Sequence, residues 1–301
     1  MKRRTAIQQM AMGAAGMAGA GALFSFNTAC DTPSAVQASP KADYDSKMKG
    51  NINHSVCRWC YNGIPFEEFC ERGKAIGLQS IELTGVNDWP VLRKYGLTCA
   101  LGTFEHAKIP DAFNETKHHE HLQKVYIELI DAAADAGIPS VICFSGNRRG
   151  MDDMVGMDNC AVGLESVVKH AEKKGVLVIM ELLNSKVNHK DYMCDHTDWG
   201  VKLAQKLGSP NFKLLYDIYH MQIMEGDVIA TIRANKDFIG HYHTGGVPGR
   251  HEINAAQELN YPAIMKAILE TGYKGFVGQE FIPTYDDKIA ALQEGVLICD
   301  V

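Results

Sequence analysis

Several acidic and imidazole side chains stand out because each follows an apolar run typical of a buried strand. Glu181 follows VLVIM, Asp217 follows FKLLY, His241 and His243 lie in IGHYH, and Glu280 follows GFVGQ. A charged group at the end of a core strand costs folding free energy unless a partner compensates for its burial. Three carboxylates and an imidazole at one place would repel and take up protons, but one divalent cation would hold them together.

The donor types indicate which cations such a site would bind. Three carboxylates, from Glu181, Asp217 and Glu280, and one imidazole suit Mn²⁺, Mg²⁺, Co²⁺ or Zn²⁺. The absence of a thiolate from this set weakens the case for a structural zinc site. His241 and His243 share one face of their strand, so either could be the ligand. We expect His243, which lies closer to the carboxyl end of the strand.

Alternating β-rich and helical stretches from residue 52 onward indicate the elements that would position these residues. The predicted strands are 52–59, 80–85, 98–104, 140–146, 176–184, 212–220, 239–246 and 275–281. Eight strands, each followed by a helix, predict an α/β fold built as a single (β/α)8 TIM barrel. The rival, an open doubly wound sheet, requires a glycine-rich turn after the first strand, and CRWCYNGIP is not one.

Glycines that end the predicted helices support this division of the chain. They are Gly77, Gly137, Gly175, Gly208 and Gly272, each just before the next predicted strand. In a barrel of this kind the carboxyl ends of the strands form one rim, where active sites lie. Because strands five to eight carry the acidic and imidazole residues at their ends, we expect these side chains to meet there.

Charge and composition restrict the class of partner. The chain has 301 residues, 46% of them hydrophobic and 22% charged, with a formal net charge of -6. Without the first 29 residues, 27 basic residues stand against 36 acidic ones. An acidic body argues against nucleic acid, which is bound through Lys and Arg. We expect a small-molecule partner, and the sequence leaves homo-oligomer formation open.

Residues 1–30 have the pattern of an export signal, with Arg3-Arg4 ahead of a weakly apolar Ala, Gly and Met-rich run. The arginine pair favours the twin-arginine route over an ordinary secretory signal or an uncleaved anchor. Cys30 resembles a lipoprotein cleavage site, although Asn27 stands where an aliphatic residue is usual. Residues 31–51 predict a flexible tether and residues 52–301 the barrel. The expected location is periplasmic, or membrane-anchored through a lipid on Cys30.

Other polar residues carry weaker signals. Cys57 and Cys60 form an isolated CxxC, interpreted as structural, with a disulfide or reactive thiol as alternatives. Trp59 could stack on a sugar or plug the barrel. Four residues could either line the pocket or lie in solvated loops and surface: Arg148, Arg149, Lys186 and His189. The histidines of KHHEH are interpreted as a solvated helix start: His118, His119 and His121.

Longer motifs in the same region resemble a known family. DIYHMQIMEGD (217–227), VPGRHEINAAQELNYP (247–262) and VGQEFIP (277–283) are the most specific stretches. Over about residues 52–285 the chain resembles the xylose-isomerase-like barrels, and within them the hydroxypyruvate isomerase branch. The resemblance implies one divalent metal on Glu181, Asp217, His243 and Glu280. It also implies that Glu181 and Glu280 form the acid/base pair, and that His220 and Arg250 hold substrate oxygens.

The function implied is that of an aldose-ketose type isomerase, an intramolecular oxidoreductase. It would act on hydroxypyruvate or a related hydroxy-carbonyl compound or keto-sugar through a metal-bound enediolate. His243 departs from the branch, which usually has glutamine there, and is similar to the sugar epimerases. The alternatives are therefore a keto-sugar epimerase, a polyol dehydratase of the same fold, and a non-catalytic surface sugar-binding protein. The resemblance does not determine which glutamate is the base.

Overall fold

The computed structural model describes residues 48–105 and 107–301. The export signal predicted at 1–30 and most of the tether predicted at 31–51 lie outside the described residues. The last four tether positions contact the barrel: Asn51 Nδ2, for example, donates a hydrogen bond of 2.8 Å to the Val301 carbonyl. None of the helices within the described ranges combines the length and apolarity needed to cross a membrane.

A parallel sheet of six strands forms the centre of the fold. The strands are β1 (Asn53–Val56), β2 (Ser140–Cys143), β3 (Leu177–Glu181), β4 (Phe212–Asp217), β5 (Ile239–Thr244) and β6 (Phe276–Gln279). Their spatial order is β1-β6-β5-β4-β3-β2, and each neighbouring pair is parallel. The strands are short, and their side chains are buried almost throughout, as expected of a sheet covered on both faces.

Two extended segments, 80–84 and 98–102, join the free edges of this sheet. Parallel bridges link Cys57 to Glu82, Ser80 to Thr98, and Thr84 to Gly102, while Gly102 also pairs with Val141 of β2. The parallel hydrogen bonding therefore runs around a ring, and the fold is TIM-barrel-like.

The sequence predicted full strands in these two segments, whereas the structure has isolated bridges only. Leu83 has a φ of 55°, which interrupts the extended backbone in the middle of the first segment. In the second segment, a Cβ at position 102 would lie 2.9 Å from the Trp89 ring, so the close packing of this ring favours glycine there.

Helices follow the strands and bridged segments on the outside of the ring. They are α1 (Phe66–Ala75), α2 (Trp89–Lys94), α3 (His119–Ala136), α4 (Asp153–Lys174), α5 (Thr197–Leu207), α6 (Ile218–Met224), α7 (Val228–Ala234), α8 (Tyr261–Glu270) and α9 (Lys288–Cys299). Gly137, Gly175 and Gly208 cap α3, α4 and α5 in the left-handed conformation, as predicted. Gly77 and Gly272 also have positive φ, one residue beyond the caps of α1 and α8.

The sixth predicted strand is shorter than expected. We predicted strand structure to residue 220, but β4 ends at Asp217 and α6 begins at Ile218. The Asp217 side chain accepts a hydrogen bond of 3.0 Å from the His220 backbone N–H, which is the N-cap arrangement. This capping bond outweighs the β preference of Ile218 and Tyr219, and it places His220 on a helix.

The loop after β5 turns back sharply over the rim of the barrel. Gly246 and His251 form an antiparallel bridge, and the Arg250 backbone N–H donates to the Gly246 carbonyl at 2.8 Å. A Cβ on Gly246 would lie 2.3 Å from the Glu252 carbonyl oxygen. The close approach of two backbone segments therefore requires glycine at this position.

We expect Gly246→Ala to lower the free energy of unfolding by about 1–3 kcal/mol, because a methyl group would force the loop apart. Urea denaturation followed by circular dichroism measures the change. Gly63→Ala is the matched control, since the nearest atom to its Cβ would be Lys288 Nζ at 3.9 Å, and we expect a change within about 0.5 kcal/mol. Equal stability of the two variants would show that the loop relaxes freely.

Candidate metal centre and active site

Four strands deliver one buried polar side chain each to the same point at the rim. Glu181 ends β3, Asp217 ends β4, His243 lies one residue before the end of β5, and Glu280 follows β6. Their ligand atoms all lie within 4.8 Å of one another. The parallel register pairs Asp217 with His243, so these side chains leave the sheet at the same level. The structure thus brings together all four residues predicted to bind the metal.

Several atoms of this cluster are buried without a hydrogen-bond partner among the described residues. They are Glu181 Oε1, His243 Nδ1 and Glu280 Oε2. His243 Nδ1 lies 2.7 Å from Glu280 Oε2 and 3.7 Å from Glu181 Oε1. Buried polar atoms that face one another without hydrogen bonds are rare and costly. Three carboxylates and an imidazole so arranged fit a divalent cation of the Mn²⁺, Mg²⁺, Co²⁺ or Zn²⁺ type.

The electrostatics of the cluster also favour a cation. Burial raises the pKa of Asp217 to about 8, with Arg250 opposing the shift and Glu280 and Glu181 adding to it. Burial and the neighbouring Glu280 likewise raise the pKa of Glu181. Burial also opposes ionisation of Glu280, but Arg250 and His243 outweigh it and hold the pKa of Glu280 below its usual range. Asp217 and Glu181 therefore do not ionise readily, and added positive charge would stabilise their ionised forms.

Arg250 reaches the cluster from the loop after β5. Its Nη2 lies 2.7 Å from Glu280 Oε2 and 3.2 Å from Asp217 Oδ2, and its Nε donates to the Glu280 carbonyl at 3.2 Å. Burial opposes the charge on Arg250, but Glu280 and Asp217 raise its pKa above the usual range. Its guanidinium also lies 5.2 Å from the Trp59 ring centre and 5.4 Å from that of Tyr219. These contacts hold a cation beside the two carboxylates.

Trp59 orients one of the predicted catalytic carboxylates. Its indole Nε1 donates a hydrogen bond of 2.7 Å to Glu280 Oε1. We left open whether Trp59 stacks on a sugar or plugs the barrel. It is 38% exposed and lines the cavity above the cluster, so it does not plug the barrel. Arg58–Tyr61 forms a short 3-10 helix, whereas the sequence predicted strand to residue 59.

His220 lies fully buried on α6, behind Asp217. Its Nδ1 lies 3.2 Å from the Asn184 backbone N–H and 2.6 Å from the Asn184 side-chain nitrogen. Because Nδ1 accepts from Asn184, the proton of the neutral ring belongs on Nε2, which lies 3.7 Å from Asp217 Oδ2. Its substrate-binding role stays a prediction, and the geometry gives it an N–H on the cluster side.

A cavity of about 300 Å³ opens beside the cluster. Glu181, Glu280, Arg250 and His189 provide its polar side chains. Its remaining lining is hydrophobic or aromatic: Trp59, Leu83, Ile109, Ile142, Phe144 and Leu183. A small substrate can therefore reach both glutamates, with one side of it against an apolar wall.

Most of the weaker sequence candidates have structural partners elsewhere. Arg148 pairs with Asp153 and Asp195, and Arg149 pairs with Asp111 and Glu115. Lys186 donates to the carbonyls at the end of α6. His119 is buried against the Phe113 carbonyl rather than solvated. Cys57 and Cys60 are buried free thiols, as are the six other cysteines from Cys70 to Cys299, so the disulfide alternative is not seen.

The sequence analysis missed Glu82. This fully buried carboxylate lies 2.6 Å from His243 Nε2 and 2.8 Å from His241 Nε2. The signal was present, because Glu82 interrupts the apolar run of SIELTG as the other acids interrupt theirs. Both histidines contact Glu82, but it is His243 that also approaches Glu181 and Glu280, through Nδ1, so His243 is the one that faces the cluster.

Fold and site together define a TIM-barrel-like protein with a candidate metal centre at its rim, and comparisons with known proteins identify its family. The sequence profile of the xylose isomerase-like TIM barrel family matches residues 90–297, and the chain belongs to that family. An AP endonuclease, family 2, structure from Brucella melitensis superposes with a TM-score of 0.72 at 22% identity, covering 80% of this chain and 97% of that one. That likeness concerns the fold.

Two curated relatives are similar over part of their length. A putative hydroxypyruvate isomerase from Homo sapiens is 35% identical over 130 residues, which are 42% of this chain and 47% of that protein. A 2-oxo-tetronate isomerase from Cupriavidus necator is 36% identical over 113 residues, 38% of this chain and 43% of that protein. The chain thus spans about half the length of the curated relatives it matches.

We expect Glu181→Gln to weaken the stabilisation by metal without lowering the melting temperature of the metal-free protein. Removing one of three crowded carboxylates should leave the metal-free melting temperature unchanged or raise it, because like charges repel. The stabilisation by Mn²⁺, about 2.7 kcal/mol at a hundredfold excess over the dissociation constant, should fall because one charged ligand is lost. Melting curves with EDTA and with a Mn²⁺ series measure both effects.

Glu71→Gln, on the exposed side of α1, is the matched control. It should keep the full Mn²⁺ response. An unchanged response in Glu181→Gln would remove Glu181 from the set of ligands.

Proposed function

We propose that this protein is a divalent-metal-dependent isomerase of hydroxypyruvate or a related small hydroxy-carbonyl compound. The observation that carries the proposal is the convergence of Glu181, Asp217, His243 and Glu280 within 4.8 Å at the mouth of a cavity. The relatives named as hydroxypyruvate and 2-oxo-tetronate isomerases support the reaction class. Location outside the cytoplasm is a separate proposal that rests on the sequence of residues 1–30.

The four cluster residues would hold the cation through one atom each. When bound, it would supply a Lewis acid that polarises the substrate carbonyl and makes the adjacent C–H more acidic. Arg250 Nη2, already placed between two carboxylates, would bind a substrate carboxylate or developing oxyanion charge. His220 would donate from Nε2 to a substrate oxygen.

Glu181 and Glu280 are the proton carriers in this proposal. Both line the cavity, and both are nearly fully buried, at 4% and 3% exposed. One takes a proton from the hydroxyl-bearing carbon, and the other delivers a proton to the former carbonyl carbon, while a hydroxyl proton moves between the two oxygens. The substrate gains and loses no atoms overall, and proton exchange with solvent returns the two glutamates to their starting protonation states, so the reaction requires no further reactant. The hydrogen bond from Trp59 fixes the orientation of Glu280 during the transfer.

The apolar wall of the cavity contributes by limiting water near the reacting carbon. Ile142 and Leu183 are each 1% exposed, and Phe144 is 8% exposed. A site with little water strengthens the interactions of the charged groups with the substrate.

A keto-sugar epimerase is the second candidate. The specific observation in its favour is His243, which occupies the ligand position where the resemblance to the isomerase branch leads us to expect glutamine. In an epimerase the same two glutamates would act on opposite faces of one carbon. The difference lies in where the second proton is delivered.

We expect the purified protein with Mn²⁺ to incorporate deuterium from D2O into its substrate, and we expect EDTA to abolish the incorporation. Hydroxypyruvate and a set of ketoses are the compounds to test, with mass spectrometry and NMR as readouts. Glu280→Gln should lower the exchange rate at least about 100-fold, because an amide cannot carry the proton.

The position of the label distinguishes the candidates. Deuterium on the former carbonyl carbon, together with an aldehyde product, indicates the isomerase. Deuterium on a carbon whose configuration is inverted indicates the epimerase. Glu71→Gln serves as the control and should exchange at the wild-type rate. Full exchange by Glu280→Gln would contradict the acid/base assignment, and binding of these compounds without exchange would favour a dehydratase or a binding protein.

A further inference from the structure

Glu82 lies directly beneath the proposed metal centre, in the bridged segment 80–84. One of its oxygens, Oε1, contacts two imidazoles at once, His243 Nε2 at 2.6 Å and His241 Nε2 at 2.8 Å. The Glu82 carboxylate is fully buried, and both histidine side chains are at most 3% exposed. Solvent therefore does not compete for these contacts.

The geometry of this shared oxygen determines where the imidazole protons lie. A single carboxyl proton could satisfy only one of the two contacts, whereas an ionised carboxylate oxygen can accept from both rings. Both histidines then carry a proton on Nε2. For neutral His243 the lone pair must be on Nδ1, the atom that faces Glu181 and Glu280.

The neighbouring strand leaves space for this pair. Gly278 of β6 is the register partner of His243. A Cβ on Gly278 would lie 2.7 Å from Glu82 Oε1 and 2.9 Å from His243 Cδ2. The absence of a side chain at Gly278 is therefore required for Glu82 to reach His243.

Cys57 offers a competing explanation of the same cluster. Its Sγ lies 3.6 Å from His243 Nε2 and 3.8 Å from Glu82 Oε1, and the three groups have metal-ligand spacing. However, the Nε2 contact at 2.6 Å is already a short, complete hydrogen bond. His243 Nε2 is therefore engaged by Glu82, and the unpartnered ring atom is Nδ1.

We propose that Glu82 is a positioning residue that fixes His243 in the Nε2–H form and presents Nδ1 to the cation. This inference rests on the proposed function, because it requires a cation at the cluster. A carboxylate that accepts from the far nitrogen of a ligating histidine orients the ring and makes it a better ligand. Glu82 touches neither cation nor substrate, and its effect passes through His243.

Two measurements on the full chain test the proposal. In ¹⁵N-histidine NMR of the Mg²⁺-loaded protein, His243 should show a protonated Nε2 and an unprotonated Nδ1. In Glu82→Gln, the dissociation constant for Mn²⁺ should rise about 10- to 100-fold. Circular dichroism should show the same metal-free fold, because glutamine has nearly the same size and retains one acceptor oxygen.

Cys57→Ser is the matched control, since Cys57 contacts the same two side chains. It should bind one Mn²⁺ with unchanged affinity. Weaker binding in Cys57→Ser would favour the thiolate set and overturn the proposal. His243 protonated on Nδ1 in the Mg²⁺-loaded wild-type protein would overturn it whether or not the Glu82 variant folds.

The outcome also separates this inference from the proposed function. A wild-type protein that binds Mn²⁺, beside a Glu82→Gln variant that binds it within twofold as well, overturns the role of Glu82 alone. A wild-type protein that binds no Mn²⁺ overturns both.

Discussion

The structure depends on the burial of four carboxylates at the mouth of one barrel. Glu82, Glu181, Asp217 and Glu280 are each at most 4% exposed. The positive or proton-donating groups in contact with them include Arg250, His241, His243 and the Trp59 indole. Removing an ionised group from water costs several kcal/mol per ion unless partners replace the lost hydration. The surrounding elements can be understood as the means of supplying those partners.

Each partner requires a particular backbone arrangement. The capping bond that ends β4 at Asp217 engages one carboxylate oxygen and leaves the other facing Arg250. The tight turn at Gly246 returns Arg250 to the rim, where its backbone has a φ of 60°. An unusual backbone conformation of this kind is retained where the surrounding structure fixes it, often at functional sites. The site is thus held by strand ends, a helix start and one loop.

Much of the site could be predicted because strand ends are visible in the sequence. An acid that follows an apolar run marks both the end of a strand and the rim of a barrel, and this was sufficient to find Glu181, Asp217 and Glu280. The choice between the two histidines as the metal ligand required tertiary contacts. His241 and His243 both face inward by the two-residue repeat and both contact Glu82, so it is the approach of His243 Nδ1 to Glu280 and Glu181 that separates them.

Other features depended on tertiary contacts that no local pattern reports. Leu83 looks like an ordinary strand residue, yet its positive φ interrupts the extended backbone of segment 80–84, which forms isolated bridges only. Ile218 and Tyr219 favour a strand, but the capping bond starts a helix there. The role of Trp59 was undecided because its partner, Glu280, comes from the opposite end of the chain.

The most direct test of this account is a crystal structure of the Mn²⁺-loaded protein with anomalous diffraction recorded at the manganese absorption edge. We predict one anomalous peak per chain, in contact with Glu181, Asp217, Glu280 and Nδ1 of His243. A peak at Cys57 and Glu82, or at the half-buried group Asp111, Glu115 and His118, with none between the four strand ends, would contradict the central claim.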